Sequence, residues 1–117
     1  MTPIADVHFE TIDCVLVARL EGEIDMSNAT ALGAAITARV PGDAAAVVLD
    51  LGAVDYVDSA GIHVVYELRE RLKRRGQEIR LVVAPDSPIA ATLRYADVPG
   101  TIGAAASVQD AIADLRD

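Results

Sequence analysis

The feature that most constrains the fold is the run Ala46-Val47-Val48-Leu49-Asp50-Leu51, short and apolar on both alternating faces. A strand of that kind has to be covered on both sides, which places it at the centre of a sheet flanked by helices. The segments around it agree. Ala29, Leu32, Ile36 and Val40 recur at helical spacing before it, and Ile62, Val65, Leu68 and Leu72 after it. Strand and helix patterns in alternation predict an α/β domain with parallel crossovers.

The rest of the chain fills in that scheme. Val7 to Ile12 and Cys14 to Leu20 read as two strands of a hairpin, the second ending where Gly22-Glu23-Ile24-Asp25 begins. Ser27 is the expected cap of the first helix, which Pro41-Gly42-Asp43 stops. Gly52 to Val57 reads as a connection, Asp58-Ser59-Ala60-Gly61 as the opening of the second helix with Ser59 at its cap, and Gly76 as its end. Ile79 to Ala84 gives a fourth strand. Ser87-Pro88 starts a third helix carrying Ile89 and Leu93, Thr101 to Gly103 a last short strand, and Ser107 with Asp110 a capping box before a fourth helix. The expectation is therefore a single domain over residues 1–117, a mixed central sheet of about five strands with about four helices, antiparallel only at its start.

Composition then excludes several functions. A net charge of -8 opposes direct contact with nucleic acid or an anionic membrane, since phosphates demand clustered cations. The basic run Arg69 to Arg75 alternates with acids, so Glu67 with Arg71 and Glu70 with Arg74 are expected to pair across one helical turn on a solvated face. Cys14, the single cysteine, reads as a buried small hydrophobe, and no His or Cys stands at a metal-ligand spacing from it. Met1 to Phe9 lacks the basic and apolar blocks of a secretory signal, and no stretch approaches a membrane span, so a cytoplasmic protein is expected.

Two turns at strand ends carry the chemistry, Gly22 to Ser27 and Asp55 to Gly61. Leu20-Glu21-Gly22-Glu23-Ile24-Asp25, Val47-Val48-Leu49-Asp50-Leu51 and Val57-Asp58-Ser59-Ala60-Gly61-Ile62, in that order, resemble the STAS domains of bacterial anti-sigma factor antagonists over nearly the whole chain. The resemblance implies a partner switch. The unphosphorylated form binds an anti-sigma factor with serine kinase activity and so frees a sigma factor; phosphorylation of the serine after the aspartate, here Ser59, ends that binding, and a phosphatase restores it. It also implies a partner-binding surface of Glu23, Asp25, Ser27, Asp58, Ala60, Gly61 and His63. Many relatives carry a second hydroxyl where this chain has Ala60, which leaves Ser59 alone in the motif.

The residues themselves add to this. A serine entering a helix meets unpaired N–H groups at the positive end of the helix dipole, where a phosphate would also be accommodated. Without the resemblance, Ser59 would read as a plain cap, Glu23 and Asp25 as solvated turn residues, and Gly61 as a close contact with the sheet. Ser59 and His63 stand one turn apart, yet no Gly-x-Ser-x-Gly elbow is present, and a pair on one helix seldom aligns imidazole with hydroxyl, so no enzyme is expected. No glycine-rich phosphate loop appears, so no nucleotide or other cofactor is expected. The alternative reading is a cytoplasmic STAS subunit of a membrane lipid transporter.

Overall fold

The computed structural model describes residues 6–116; the ends of the expected 1–117 domain and the first part of the Met1 to Phe9 stretch lie outside them. The apolar run sits where its pattern demands. Strand β3 (Ala46–Val57) is the middle of a five-stranded sheet ordered β1-β2-β3-β4-β5, with β1 at Asp6–Ile12, β2 at Val15–Ile24, β4 at Glu78–Val82 and β5 at Ala104–Ala105. Among the described residues only the β1–β2 pairing is antiparallel.

Alternation along β2 and β3 divides the core in two. Leu16, Ala18, Leu20 and Ile24 of β2, with Val47, Leu49, Leu51, Val54 and Val57 of β3, face one layer. That layer holds the buried sides of α1 (Ala29–Arg39), α2 (Ser59–Arg74), α3 (Ala90–Tyr95) and α4 (Val98–Ile102). Val15, Val17, Ala46 and Val48 face the other side, where Val108, Ala111 and Ile112 of α5 (Val108–Arg116) cover them. Successive parallel crossovers step across the sheet in one direction, so crossovers of one hand leave their helices on one face. Val17, Val47 and Val48 are fully buried, each worth about 1.5–3 kcal/mol relative to an exposed side chain.

Several elements differ from the sequence expectation. The second strand does not end at Gly22; β2 and β3 both continue, paired, to Ile24 and Val57. Between Val54 and Tyr56 the ladder skips Asp55, and at the matching point of β2 Gly22 takes a positive φ of 99°, a bulge that changes the aim of the strand ends. In place of a strand at Thr101 to Gly103 there is the extra helix α4, because Val98 and Ile102, one turn apart, are both buried against the core. Helix α3 starts at Ala90 rather than at Pro88, with Ser87 Oγ accepting only the N–H of Ile89.

Cys14 is exposed, contrary to expectation. It and Asp13 form a two-residue hairpin turn with φ of 66° and 50°, the double positive φ of a type I′ loop, which projects both side chains away from the sheet. The α2 ion pairs differ too: Glu70 meets Arg69 at 2.8 Å and Glu67 meets His63 at 3.6 Å, in place of Arg74 and Arg71. The Ser107 cap holds, its Oγ accepting the Asp110 N–H at 3.1 Å.

Candidate functional site

The continuation of β2 and β3 brings the two conspicuous turns together. Ile24 pairs with Val57, and the Asp58 N–H then donates to the Ile24 carbonyl at 3.2 Å, so the chain leaves both strands at the same point. Asp58, not Ser59, is the N-cap of α2. Its Oδ1 accepts the N–H groups of Ala60 at 2.9 Å and Gly61 at 3.1 Å. Its Oδ2 accepts the Met26 N–H at 3.2 Å, a bond that ties the α2 start to the β2–α1 turn.

Ser59 is therefore the first helical residue, exposed, and among the described residues its hydroxyl makes no hydrogen bond. The donors that the sequence assigned to a serine cap, or to a phosphate there, are held by Asp58 instead. What remains for a group on Ser59 is the positive end of the helix dipole, an open solvent face and a neighbouring carboxylate. One outcome is that Ser59→Ala leaves stability within about 0.5 kcal/mol of wild type. Thermal or urea unfolding of the two proteins measures it, and a loss above about 1 kcal/mol, the size of a lost cap, would return that role to Ser59.

Ser27 does not cap α1 either. Its hydroxyl and N–H both donate to Asp25 Oδ1, the N–H at 2.9 Å. Asn28 takes the position before the helix, accepting the Asp25 N–H on Oδ1 and donating from Nδ2 to the Glu23 carbonyl. Residues 23 to 28 thus lock into one another. The Ser27 hydroxyl first, then the Ser27 and Asn28 N–H groups, holds the Asp25 carboxyl below the usual carboxylate range.

Gly61 is buried beneath the start of α2. A Cβ there would stand 2.6 Å from Val57 Cγ2 and 2.9 Å from Ile24 Cγ2. Its smallness lets α2 sit directly on the ends of β2 and β3 and so positions Ser59. Ala60 is half-buried. His63 is exposed, and it meets Glu67 at 3.6 Å rather than Ser59.

The structure adds residues that sequence reasoning passed over. A cleft beside Ser59 is lined by Ile62 of α2 and by Ala91, Thr92, Tyr95 and Ala96 at α3. The Tyr66 hydroxyl donates to the Ala96 carbonyl at 3.0 Å and fixes that wall. Tyr95 is 97% exposed and Met26 81%, the latter beside Asp58. The available signal was the position of Tyr95 off the buried Ile89 and Leu93 edge; only the tertiary packing places it next to Ser59.

With this geometry in view, three similarities are informative. BtrV of Bordetella bronchiseptica, assigned as an anti-sigma factor antagonist, is 39% identical over 72 residues, a match spanning 62% of this chain and 62% of BtrV. An anti-sigma factor antagonist from Mycobacterium paratuberculosis superposes with a TM-score of 0.86 at 28% identity, each chain covered in full. The Bacillus cell fate determinant SpoIIAA, in its phosphorylated form, shares the fold at 20% identity with a TM-score of 0.65, over 94% of this chain and 99% of SpoIIAA. The STAS domain model matches residues 6–111. The chain belongs to the STAS domain family.

Proposed function

We propose that this chain is an anti-sigma factor antagonist that works as a phosphorylation-controlled partner switch, with residues 1–117 acting as one domain in the cytoplasm. Unmodified, the surface formed by Glu23, Asp25, Ser27, Asp58, Ala60 and His63 around Ser59 binds an anti-sigma factor with serine kinase activity, and a sigma factor is released. Phosphorylation of Ser59 ends that binding, and a phosphatase resets it. Gly61 acts from beneath by setting the height of the helix.

One observation carries the reading: Ser59 presents an exposed, unengaged hydroxyl at the first position of α2, while Asp58 makes the cap. A hydroxyl consumed in capping would have to be released before a kinase could use it. This one is already available, and modifying it leaves the cap intact. The relatives' assignments as anti-sigma factor antagonists support the partner class. The chain itself performs no catalysis in this scheme, since His63 is turned to Glu67. Among the described residues no helix is long and apolar enough to cross a membrane.

The test is to incubate the protein with its anti-sigma kinase and ATP and to map the product by mass spectrometry. A single phosphate on Ser59 is expected. Phosphate on Ser27, Ser87 or Ser107 with Ser59 unmodified would overturn the assignment.

A further inference from the structure

Strand β1 is the outer strand of the sheet, two positions away from β3 and the Ser59 turn. Its seven residues pair with β2 without a break, Asp6 opposite Glu21 through Ile12 opposite Val15, and no bulge interrupts that ladder. Folded proteins usually blunt such an edge with charged side chains, lysine above all, or with a proline, a bulge or a very short strand. Asp6–Ile12 (DVHFETI) has no lysine, proline or bulge and runs seven residues; its charges, Asp6 and Glu10, stand on the side-chain face opposite Val7, Phe9 and Thr11. Among the described residues its outer edge pairs with nothing.

The hairpin geometry says which groups point outward. In a two-residue loop the flanking residues, here Ile12 and Val15, form a hydrogen-bonded pair, and bonded and non-bonded pairs alternate from there. Asp6, His8, Glu10 and Ile12 therefore spend their N–H and C=O groups on β2. Val7, Phe9 and Thr11 direct theirs to the open edge.

We propose that this edge is an interface with a second copy of the chain, the two β1 strands pairing antiparallel about Phe9 to make one continuous ten-stranded sheet. The strand is self-complementary in that register alone. Phe9 faces its own copy and Val7 faces Thr11, so every outward N–H and C=O of the three residues finds a partner. On the opposite side-chain face His8, which lies 3.4 Å from Glu21 of its own chain, falls twice against Glu10, which meets Arg19 of its own chain, so the cross-pair adds to these contacts a basic or hydrogen-bonding group against a carboxylate rather than like against like. Phe9 itself is half-buried, with the Arg39 guanidinium 4.4 Å above its ring, so both aromatic rings are held in place before association. A shift by two residues in either direction sets His8 opposite His8, or Glu10 opposite Glu10, and loses outward pairs. The Ser59 turns are left free at two separate places on the dimer.

Sedimentation equilibrium over a concentration series, with residue-resolved amide exchange, tests this on the full chain. The expected result is a weight-average mass rising from 12.3 kDa toward twice that value. Exchange at the amides of Val7, Phe9 and Thr11 should slow with concentration, while those of His8 and Glu10 stay unchanged. Thr11→Pro removes an outward donor without touching the β1–β2 ladder and is expected to abolish the dimer. His8→Glu sets like charges together and should weaken it roughly tenfold, and the exchange His8→Glu with Glu10→His should restore it. A mass that stays at 12.3 kDa up to about 1 mM would overturn the proposal. So would protection arising elsewhere than Val7, Phe9 and Thr11, or a folded His8→Glu variant that dimerises as wild type does.

Discussion

Phosphorylation of Ser59 is expected to weaken binding of the anti-sigma kinase about a hundredfold and to leave the circular dichroism spectrum unchanged. A phosphate adds about -1.5 to -2 charges and three acceptor oxygens. It is attached one residue from the Asp58 carboxylate and across the joined turns from the Asp25 carboxylate, to which the Ser27 hydroxyl and N–H donate. The partner that fits this surface unmodified has to tolerate those carboxylates, so its own groups are matched to them. Additional negative charge and bulk in a closely fitting contact costs on the order of several kcal/mol, and each 1.4 kcal/mol is about tenfold in affinity. The fold itself has little reason to respond. The Ala60 and Gly61 N–H groups stay with Asp58, and the helix dipole favours negative charge at this end. Ser59→Asp should reproduce part of the loss, because a carboxylate carries about half the charge and is planar. Titration of wild type, the phosphoprotein, Ser59→Ala and Ser59→Asp against the kinase measures the series. Equal affinity across it, or a loss that tracks unfolding, would remove the electrostatic account.

How far this site could be read from the sequence depends on which physical signal fixes each part. Two-faced apolarity fixed the centre of the sheet, and helical periodicity fixed the buried sides of α1 and α2, since both are summed over many residues. The cap of α2 is different. Asp58 and Ser59 are both good caps, and a choice between adjacent residues turns on where the strand lets go of the chain. That point is set by the pairing of Ile24 with Val57, a contact across 33 positions of sequence. The same pairing decides that Gly22 lies inside a strand and that Ser27 turns to Asp25. For α4 the burial of Val98 and Ile102 outweighs the turn signals of Pro99 and Gly100, and for Cys14 the turn outweighs the apolar character of a thiol. Where a residue's role depends on one hydrogen bond or one close contact, local pattern offers no purchase; the surface around Tyr95 was invisible for this reason.

Asp58 is the residue on which the site's architecture depends most, and Asp58→Ala should cost about 2 kcal/mol of stability. Loss of an N-cap costs about 0.5–2 kcal/mol, and here one carboxylate satisfies two N–H groups of α2 and a third from Met26 on the neighbouring turn. Removing it leaves the half-buried α2 donors without partners and frees the 23 to 28 loop from the helix. At about 4 °C per kcal/mol for a domain of this size, the melting temperature should fall by roughly 8 °C. Asp58→Asn keeps the α2 cap and removes the charge, because asparagine caps about as well as aspartate and its carbonyl oxygen can still accept the Ala60 and Gly61 N–H groups, while its Nδ2 cannot accept the Met26 N–H. It should melt about 4 °C below wild type, between wild type and Asp58→Ala, while carrying one less negative charge beside Ser59. If Asp58 serves only to position Ser59, Asp58→Asn will be phosphorylated and will bind the kinase as wild type does. If its charge is also read, the variant will fold normally and bind differently. Calorimetric melting of both variants, run beside the same kinase titration, distinguishes the two, and a fall of less than 0.5 kcal/mol for Asp58→Ala, the scale of an ordinary surface change, would show that the joined turns do not depend on this side chain.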